Sequence, residues 1–134
     1  EKSAAARSQV NSVLAPLNAC SVTSADVQAL RVLTQARTDL LTALATTPVD
    51  LVPDGANLLA HLTRALELSE AADIGYVNAG VQMSGGDCGG GRVTYRNAIA
   101  IADQAEAAKA AFVNAWNDHI PSEFGVRTFA ARDI

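Results

Sequence analysis

Residues 23–48 of the chain are TSADVQALRVLTQARTDLLTALATTP, and this stretch decides the fold class. Thr23-Ser24-Ala25-Asp26 is a helix-start signal in which Ser24 is the predicted N-cap. The apolar stripe of one helix face follows and stops at Thr46-Thr47-Pro48. It consists of Leu30, Leu33, Arg37, Leu41 and Leu44. The stretch therefore predicts an amphipathic helix that carries a charge, Arg37, on its apolar face.

Three further helical patterns lie on either side of this stretch, over Ser3 to Asn18, Ala56 to about Gln82, and Val93 to His119. Pro16 is expected to bend or end the first near its last turn, and Ile120-Pro121 to end the last and leave an extended tail to Ile134. Short connections favour antiparallel neighbours. The sequence predicts an all-α fold, an up-down antiparallel four-helix bundle, in one domain spanning residues 1–134.

Composition narrows the protein class. Of 134 residues, 49% are hydrophobic, 4% are aromatic and 27 are Ala, which favours helices over a β-sandwich and excludes a disordered chain. A net charge of -4 argues against a nucleic-acid-binding protein. No apolar run in the sequence is long enough for a transmembrane helix.

Branched aliphatic and aromatic residues occupy different parts of the chain. All 13 Leu lie between Leu14 and Leu68, whereas all six aromatic residues follow position 75. Leu-rich helices two and three are therefore expected to pack on the Ala-rich fourth helix, with Phe112 and Trp116 filling the wider end. Close packing of the two parts is the expected outcome, and a gap between them would be a ligand pocket.

The only two cysteines, Cys20 and Cys88, predict one disulfide and an extracytoplasmic location, because disulfides persist in oxidising compartments. Cys88 lies in the glycine-rich segment 84–91, which is predicted to be a flexible loop that lets it reach Cys20. Two free thiols in a cytosolic protein are the alternative. The chain opens with Glu1-Lys2-Ser3 and shows no signal peptide, so a signal or membrane anchor is expected upstream of it.

Arg37 and Asp73 each fall on the apolar stripe of a helix, where a charge must be paired or solvated. We expect a buried ion pair between helices two and three, with a ligand-facing role as the alternative. Glu67, Glu70 and Asp73 share one side of helix three, and without a nearby nucleophile they are interpreted as a solvated face. No catalytic motif occurs in the sequence, and the chain is predicted not to be an enzyme.

The sequence contains no complete motif for three further kinds of ligand site. The glycine-rich segment lacks the features of a nucleotide-binding loop, but its amides, with Arg92 and Arg96 beside them, could receive an anion at the start of helix four. Haem ligation is disfavoured because no attachment motif accompanies the possible axial ligands Tyr76, Met83, His61 and His119. Two histidines and dispersed carboxylates do not predict a metal site. We expect no cofactor.

The last third of the chain contains Tyr95-Arg96-Asn97-Ala98 and a helix end with the pattern K-x-x-F-V-x-x-W-N, Lys109 to Asn117, followed by the segment Gly125 to Ile134. With Cys20, Arg37-Thr38-Asp39-Leu40-Leu41 and Ser69-Glu70-Ala71-Ala72-Asp73, it resembles a group of secreted or membrane-tethered actinobacterial helical domains. The function of that group is not established. The resemblance implies that Trp116 is a buried anchor and that Asn117 caps the helix end or holds the tail.

These observations support three hypotheses. The leading one is an extracytoplasmic, non-enzymatic domain that recognises a protein or a cell-envelope ligand. The second is a carrier that holds a small apolar ligand between the Leu-rich and aromatic-rich parts. The third is an oligomer formed through apolar residues on helix one.

Overall fold

All regular secondary structure in residues 12–134, which the computed structural model describes, is helical. Helix α1 is present as residues 12–19, α2 is Ser24–Ala45, α3 is Gly55–Ser84 and α4 is Cys88–Phe124. A short 3-10 helix, Ala131–Asp133, lies near the C-terminus. The all-α prediction is confirmed for this part of the chain. The segment of the predicted first helix that precedes Ser12 lies outside the described residues.

Helix α2 begins one residue earlier than the sequence predicted. Thr23, not Ser24, is the N-cap: its hydroxyl accepts from the Asp26 amide, and its own amide donates to Asp26 Oδ2 at 2.8 Å. The reason is the spacing of the capping box, which needs an acidic residue three positions after the cap. Thr23 has Asp26 there, whereas Ser24 has Val27. These hydrogen bonds lower the pKa of Asp26.

The glycine-rich segment is mostly helical, so its prediction as a flexible loop is wrong. Only Gly85, Gly86 and Asp87 separate α3 from α4, and Cys88 is already helical. The Asp87 carboxylate caps the start of α4 by accepting from the Gly90 amide at 2.8 Å. Gly91 is buried where a Cβ atom would collide with Met83, so a glycine there permits close helix packing.

The predicted end of α4 at Ile120-Pro121 is also wrong. The helix continues through Pro121 to Phe124 and stops at Gly125, whose φ of 63° is left-handed. A proline near the end of a helix removes one amide donor, but its carbonyl still accepts, here from the Gly125 amide at 3.0 Å. Gly125 tolerates a positive φ at no steric cost, so it sets the helix end.

The close approach of α3 and α4 organises the chain. A Cβ atom on Gly75 would lie 2.6 Å from the Cβ of Ala98, which is itself 1% exposed. Tyr76 stacks at a tilt on Tyr95 across the same interface, with ring centroids 5.8 Å apart. Small residues on both helices therefore let two backbones of 30 and 37 residues meet along their length.

Helix α2 packs on the other side of α3. Near the start of α2, the side chain of Val27 lies over Gly80. Further along α2, Arg37 reaches Asp73 and Thr38 reaches Glu70. Residues later in α2 therefore contact residues earlier in α3.

Two apolar clusters lie at opposite ends of the α3–α4 pair. The first cluster joins α1 and the start of α2 to the end of α3 and the start of α4, with Leu17, Leu30, Tyr76 and Met83 among its members. The second cluster joins the start of α3 to the end of α4 and the C-terminal tail. It contains Leu58, Phe112, Val113 and Ile120, with Trp116, Phe129 and Ile134 packed against them.

The apolar residues of α1 that were candidates for an oligomer contact do not form an exposed face where the structure describes them. Val13 and Leu17 are buried and Leu14 is half-buried, while Val10 lies outside the described residues. In residues 12–134, no helix combines the length and the apolar character that a membrane span requires.

We predict that Gly75→Ala lowers the free energy of unfolding by about 2 kcal/mol relative to Gly89→Ala, because overpacking forces two helices apart. Gly89 is the matched control, since a Cβ there would meet only Asp87 Oδ1, at 3.8 Å. Urea unfolding followed by circular dichroism measures both. Equal stability of the two variants would show that the α3–α4 contact is loose.

Candidate functional site

A group of charged and hydroxyl side chains crosses the α2–α3 interface between the two apolar clusters. We call Arg37, Thr38, Glu70 and Asp73 the polar layer. Arg37 Nε donates to Asp73 Oδ2 at 2.8 Å, and the two side chains are 14% and 7% exposed. The Thr38 hydroxyl donates to Glu70 Oε1. The structure thus brings together the charged pair expected from the apolar stripes.

Burial raises the pKa of the Asp73 carboxyl above its ordinary value. The cationic side chains of Arg37 and Lys109 oppose this shift, and the nearby Glu70 carboxylate adds to it. Desolvation outweighs the attraction because the carboxylate is almost completely removed from water. Arg37 and Lys109 therefore offset the desolvation of Asp73 only in part.

The three acidic residues of helix three do not form one solvated face, as the sequence analysis expected. Glu67 is exposed and lies 4.0 Å from Arg64, whereas Glu70 is half-buried and Asp73 is buried. The reason is the 100° step of a helix, which places Glu70 and Asp73 progressively nearer α2. Only Glu67 belongs to the solvent side.

Lys109 is a buried charge that sequence reasoning missed. It is 6% exposed, and its Nζ lies 2.8 Å from Glu106 Oε1. The signal was present in the sequence: Lys109 lies four residues after Ala105, on the apolar stripe of α4. The argument that singled out Arg37 and Asp73 applies equally to this position.

The anion site expected at the start of α4 stays a prediction, and one of the amides there is already bonded within the chain. The Asp87 carboxylate accepts from the Gly90 amide and places a negative charge at the start of α4. Arg92 and Arg96 lie further along α4. They line a groove between α1 and α4 with Leu17, Asn18, Tyr95 and Ile99.

The possible haem ligands lie in different parts of the structure. Tyr76 and Met83 are buried in the first apolar cluster, and burial raises the pKa of Tyr76 to about 12. His61 is half-buried near the start of α3, and His119 is exposed near the end of α4. Within residues 12–134, His, Cys, Asp and Glu side chains form no group that could hold a metal ion.

Trp116 and Asn117 attach the C-terminal tail to α4. Asn117 Nδ2 donates to the Phe129 carbonyl at 2.8 Å, and Asn117 Oδ1 accepts from the Phe129 amide at 2.9 Å. The Trp116 Nε1 group donates to the Arg127 carbonyl at 3.3 Å, and its ring packs on Phe129 at 5.3 Å. Asn117 therefore holds the tail, while Gly125 caps the helix. Trp116 is half-buried.

An apolar pocket of about 220 Å³ opens beside Trp116, at the end of the molecule that contains the second apolar cluster. Its walls come from the end of α2, the connection to α3, the start of α3 and the aromatic part of α4. They include Leu44, Val52, Leu58, Leu62, Phe112 and Trp116. The Leu-rich and aromatic-rich parts therefore do not close completely on each other here, contrary to the expected close packing.

The loop wall of this pocket is held by backbone geometry. Asp54 adopts a left-handed conformation with φ of 53°, and the Gly55 amide donates to the Val52 carbonyl at 2.9 Å. Gly55 packs so tightly on Val49 that no side chain fits there. The sequence analysis did not anticipate this wall, to which Val49 and Val52 contribute.

The predicted disulfide is confirmed. Cys20 and Cys88 are bonded with Cα atoms 5.9 Å apart, across 68 residues of sequence. The bond ties the junction of α1 and α2 to the first residue of α4. It therefore fixes the end of the molecule opposite the apolar pocket.

Comparison with known proteins finds no family model, no curated protein and no solved structure that matches the chain. The resemblance to actinobacterial helical domains stays a prediction.

We predict that Arg37→Met lowers the free energy of unfolding by about 3 kcal/mol at pH 7, because it leaves the Asp73 carboxylate buried without its partner. The loss should shrink at pH 4. A carboxyl whose folded pKa is raised binds its proton more tightly when folded, so its effect on stability becomes more favourable as pH falls.

Urea unfolding at both pH values measures this difference. Arg64→Met is the control, since its contact with Glu67 is exposed and should change stability by less than about 0.5 kcal/mol. A loss for Arg37→Met that is the same at pH 4 and pH 7 would contradict a charged, desolvated Asp73.

Proposed function

We propose that this chain is an extracytoplasmic helical binding domain that holds a small apolar ligand and catalyses no reaction. The observation that carries the proposal is the apolar pocket between the Leu-rich helices and the aromatic part of α4. Recognition of an unspecified protein or envelope component, the first hypothesis from the sequence, is thereby narrowed to recognition of an apolar group.

The chemistry of the pocket supports an uncharged ligand. Leu, Val and aromatic side chains supply most of its lining, and the charged residues of the polar layer are not part of it. An apolar cavity of roughly 150 Å³ is known to accept benzene. A pocket of about 220 Å³ has room for a substituted benzene ring or a short alkyl chain.

The polar groups of the chain support binding over catalysis. Arg37 and Asp73 are engaged with each other, Glu70 with Thr38, and Asn117 with the backbone of Phe129. A general base must be able to reach a proton on its substrate. Groups already committed to structural hydrogen bonds across helices are poorly suited to that task.

The disulfide supports the extracytoplasmic part of the proposal, since such bonds persist outside the reducing cytosol. The proposed architecture is an up-down antiparallel bundle followed by an extended tail. It is supported by the order of contacts, in which Val27 meets Gly80 and Arg37 meets Asp73, and by the return of Phe129 to Asn117.

We predict that toluene binds this pocket with a Kd of about 1 mM or tighter, the range expected for a ligand of seven heavy atoms. A methyl NMR titration should show the largest shifts at Leu58 and Leu62, with an increase in Tm. Leu59→Phe fills the pocket and should abolish both effects.

Leu51→Phe is the matched control because Leu51 is 93% exposed and lies outside the pocket. It should leave toluene binding unchanged. Native mass spectrometry of the unmodified protein should reveal a co-purified apolar molecule. Shifts that are spread evenly over both apolar clusters, or equal loss in the two variants, would show that no ligand site exists here.

The compartment is tested by the state of the cysteines in the source cells. We predict that cells quenched in acid and treated with iodoacetamide yield protein in which Cys20 and Cys88 are unmodified, because both are in the disulfide. Reduction before alkylation should add two groups. Alkylation without prior reduction would place the protein in a reducing compartment.

A further inference from the structure

A second depression, which we call the arginine groove, lies between α1 and α4 at the end that carries the disulfide. It has a volume of about 330 Å³, and its lining consists of Leu17, Asn18, Arg92, Tyr95, Arg96 and Ile99. Arg92 and Arg96 are four residues apart on α4, so their side chains stand on adjacent turns of the same face. Both are exposed.

The walls of the arginine groove are rigidly held. Asn18 lies two residues before Cys20, and Arg92 lies four residues after Cys88, so the disulfide joins the two walls close to the groove. Its floor is fixed by Leu17, which is 0% exposed, and by Tyr95, which is 7% exposed. A site whose walls are already ordered loses little conformational entropy when a ligand binds.

Among residues 12–134, the two arginines of the groove have no carboxylate partner. Neither arginine lies within 4.0 Å of a carboxylate of residues 12–134, in contrast to Arg37 and Arg64. Arg96 Nε donates to the Arg92 carbonyl at 3.4 Å, which directs its guanidinium along the helix toward Arg92. The chain as a whole carries a net charge of -4, so two free guanidinium groups in one groove make a local positive site.

An apolar surface continues from these charges. Ile99, 38% exposed, lies one turn beyond Arg96 at the edge of the groove and supplies this surface. We propose that the arginine groove binds a small amphiphilic anion, with its phosphate or carboxylate head on Arg92 and Arg96 and its alkyl group along Ile99. Guanidinium groups hold such heads by charge-assisted hydrogen bonds.

The arginine groove is separate from the apolar pocket. Trp116 lies twenty positions after Arg96 on α4, which corresponds to about 30 Å of helix. One small ligand cannot occupy both. The two proposals can therefore fail independently of each other.

The test uses the full oxidised chain and three probes: hexyl phosphate, inorganic phosphate and 1-hexanol. Isothermal titration calorimetry should show hexyl phosphate binding about tenfold more tightly than either other probe, a difference of roughly 1.4 kcal/mol. In NMR titrations the resonances of Arg92, Arg96 and Ile99 should shift. The double variant Arg92→Gln/Arg96→Gln should weaken binding by about tenfold or more.

Arg31→Gln/Arg64→Gln is the matched control, since it removes the same charge from exposed positions outside the groove and should change the affinity by less than about twofold. Cys20→Ser/Cys88→Ser should weaken binding if it remains folded by circular dichroism. Leu59→Phe changes the apolar pocket and should leave the affinity for hexyl phosphate unchanged.

Three results would overturn the proposal. If inorganic phosphate bound as tightly as hexyl phosphate, the alkyl group would contribute nothing to the affinity. If both arginine double variants lost the same affinity for hexyl phosphate, the affinity would depend only on the net charge of the protein. Absence of resonance shifts at Ile99 during the hexyl phosphate titration would place the ligand elsewhere.

Discussion

The contact between α3 and α4 is the constraint on which the rest of the structure depends. Two helices of 30 and 37 residues can lie against each other only where side chains are small, and Gly75 against Ala98 and Gly91 against Met83 provide this at two levels. Large side chains collect toward the two ends of this pair, where Tyr76 and Tyr95 lie in one cluster and Phe112 in the other. The two apolar clusters and the two depressions that we describe occur at those ends.

The remaining helices are attached to this pair by different interactions. Helix α2 contributes Val27 and Leu30 to one apolar cluster and joins α3 further along through Arg37 and Asp73. A buried ion pair contributes little net stability because desolvation offsets the attraction, but it penalises any displacement that separates the partners. Helix α1 is tied by the disulfide, which closes a long loop and stabilises by about 4 kcal/mol in the chain-entropy model.

Much of this arrangement could be predicted from the sequence, because apolar periodicity and charges on apolar faces are visible within single helices. The apolar stripes predicted helices, the cysteines predicted their bond, and two charges on apolar faces marked a pair that the structure joins. Boundaries were harder, because Thr23 and Ser24 both resemble caps until the residue three positions later is considered. Tertiary contacts were not visible in the sequence: Met83 leaves no room for a side chain at Gly91, and α4 continues through Pro121 to its cap at Gly125.

The apolar pocket could not be predicted because it depends on how completely two surfaces close. The sequence showed that Leu-rich and aromatic-rich parts must meet, and both a filled core and a gap are compatible with that composition. The difference lies in the connection between α2 and α3, where Val49 and Val52 line the pocket and a left-handed Asp54 leads into α3. No disulfide ties this end among the described residues; side-chain and backbone hydrogen bonds from Trp116 and Asn117 hold its tail. The two depressions therefore lie at ends of the molecule that are held in different ways, one by a covalent bond and the other by hydrogen bonds and apolar packing.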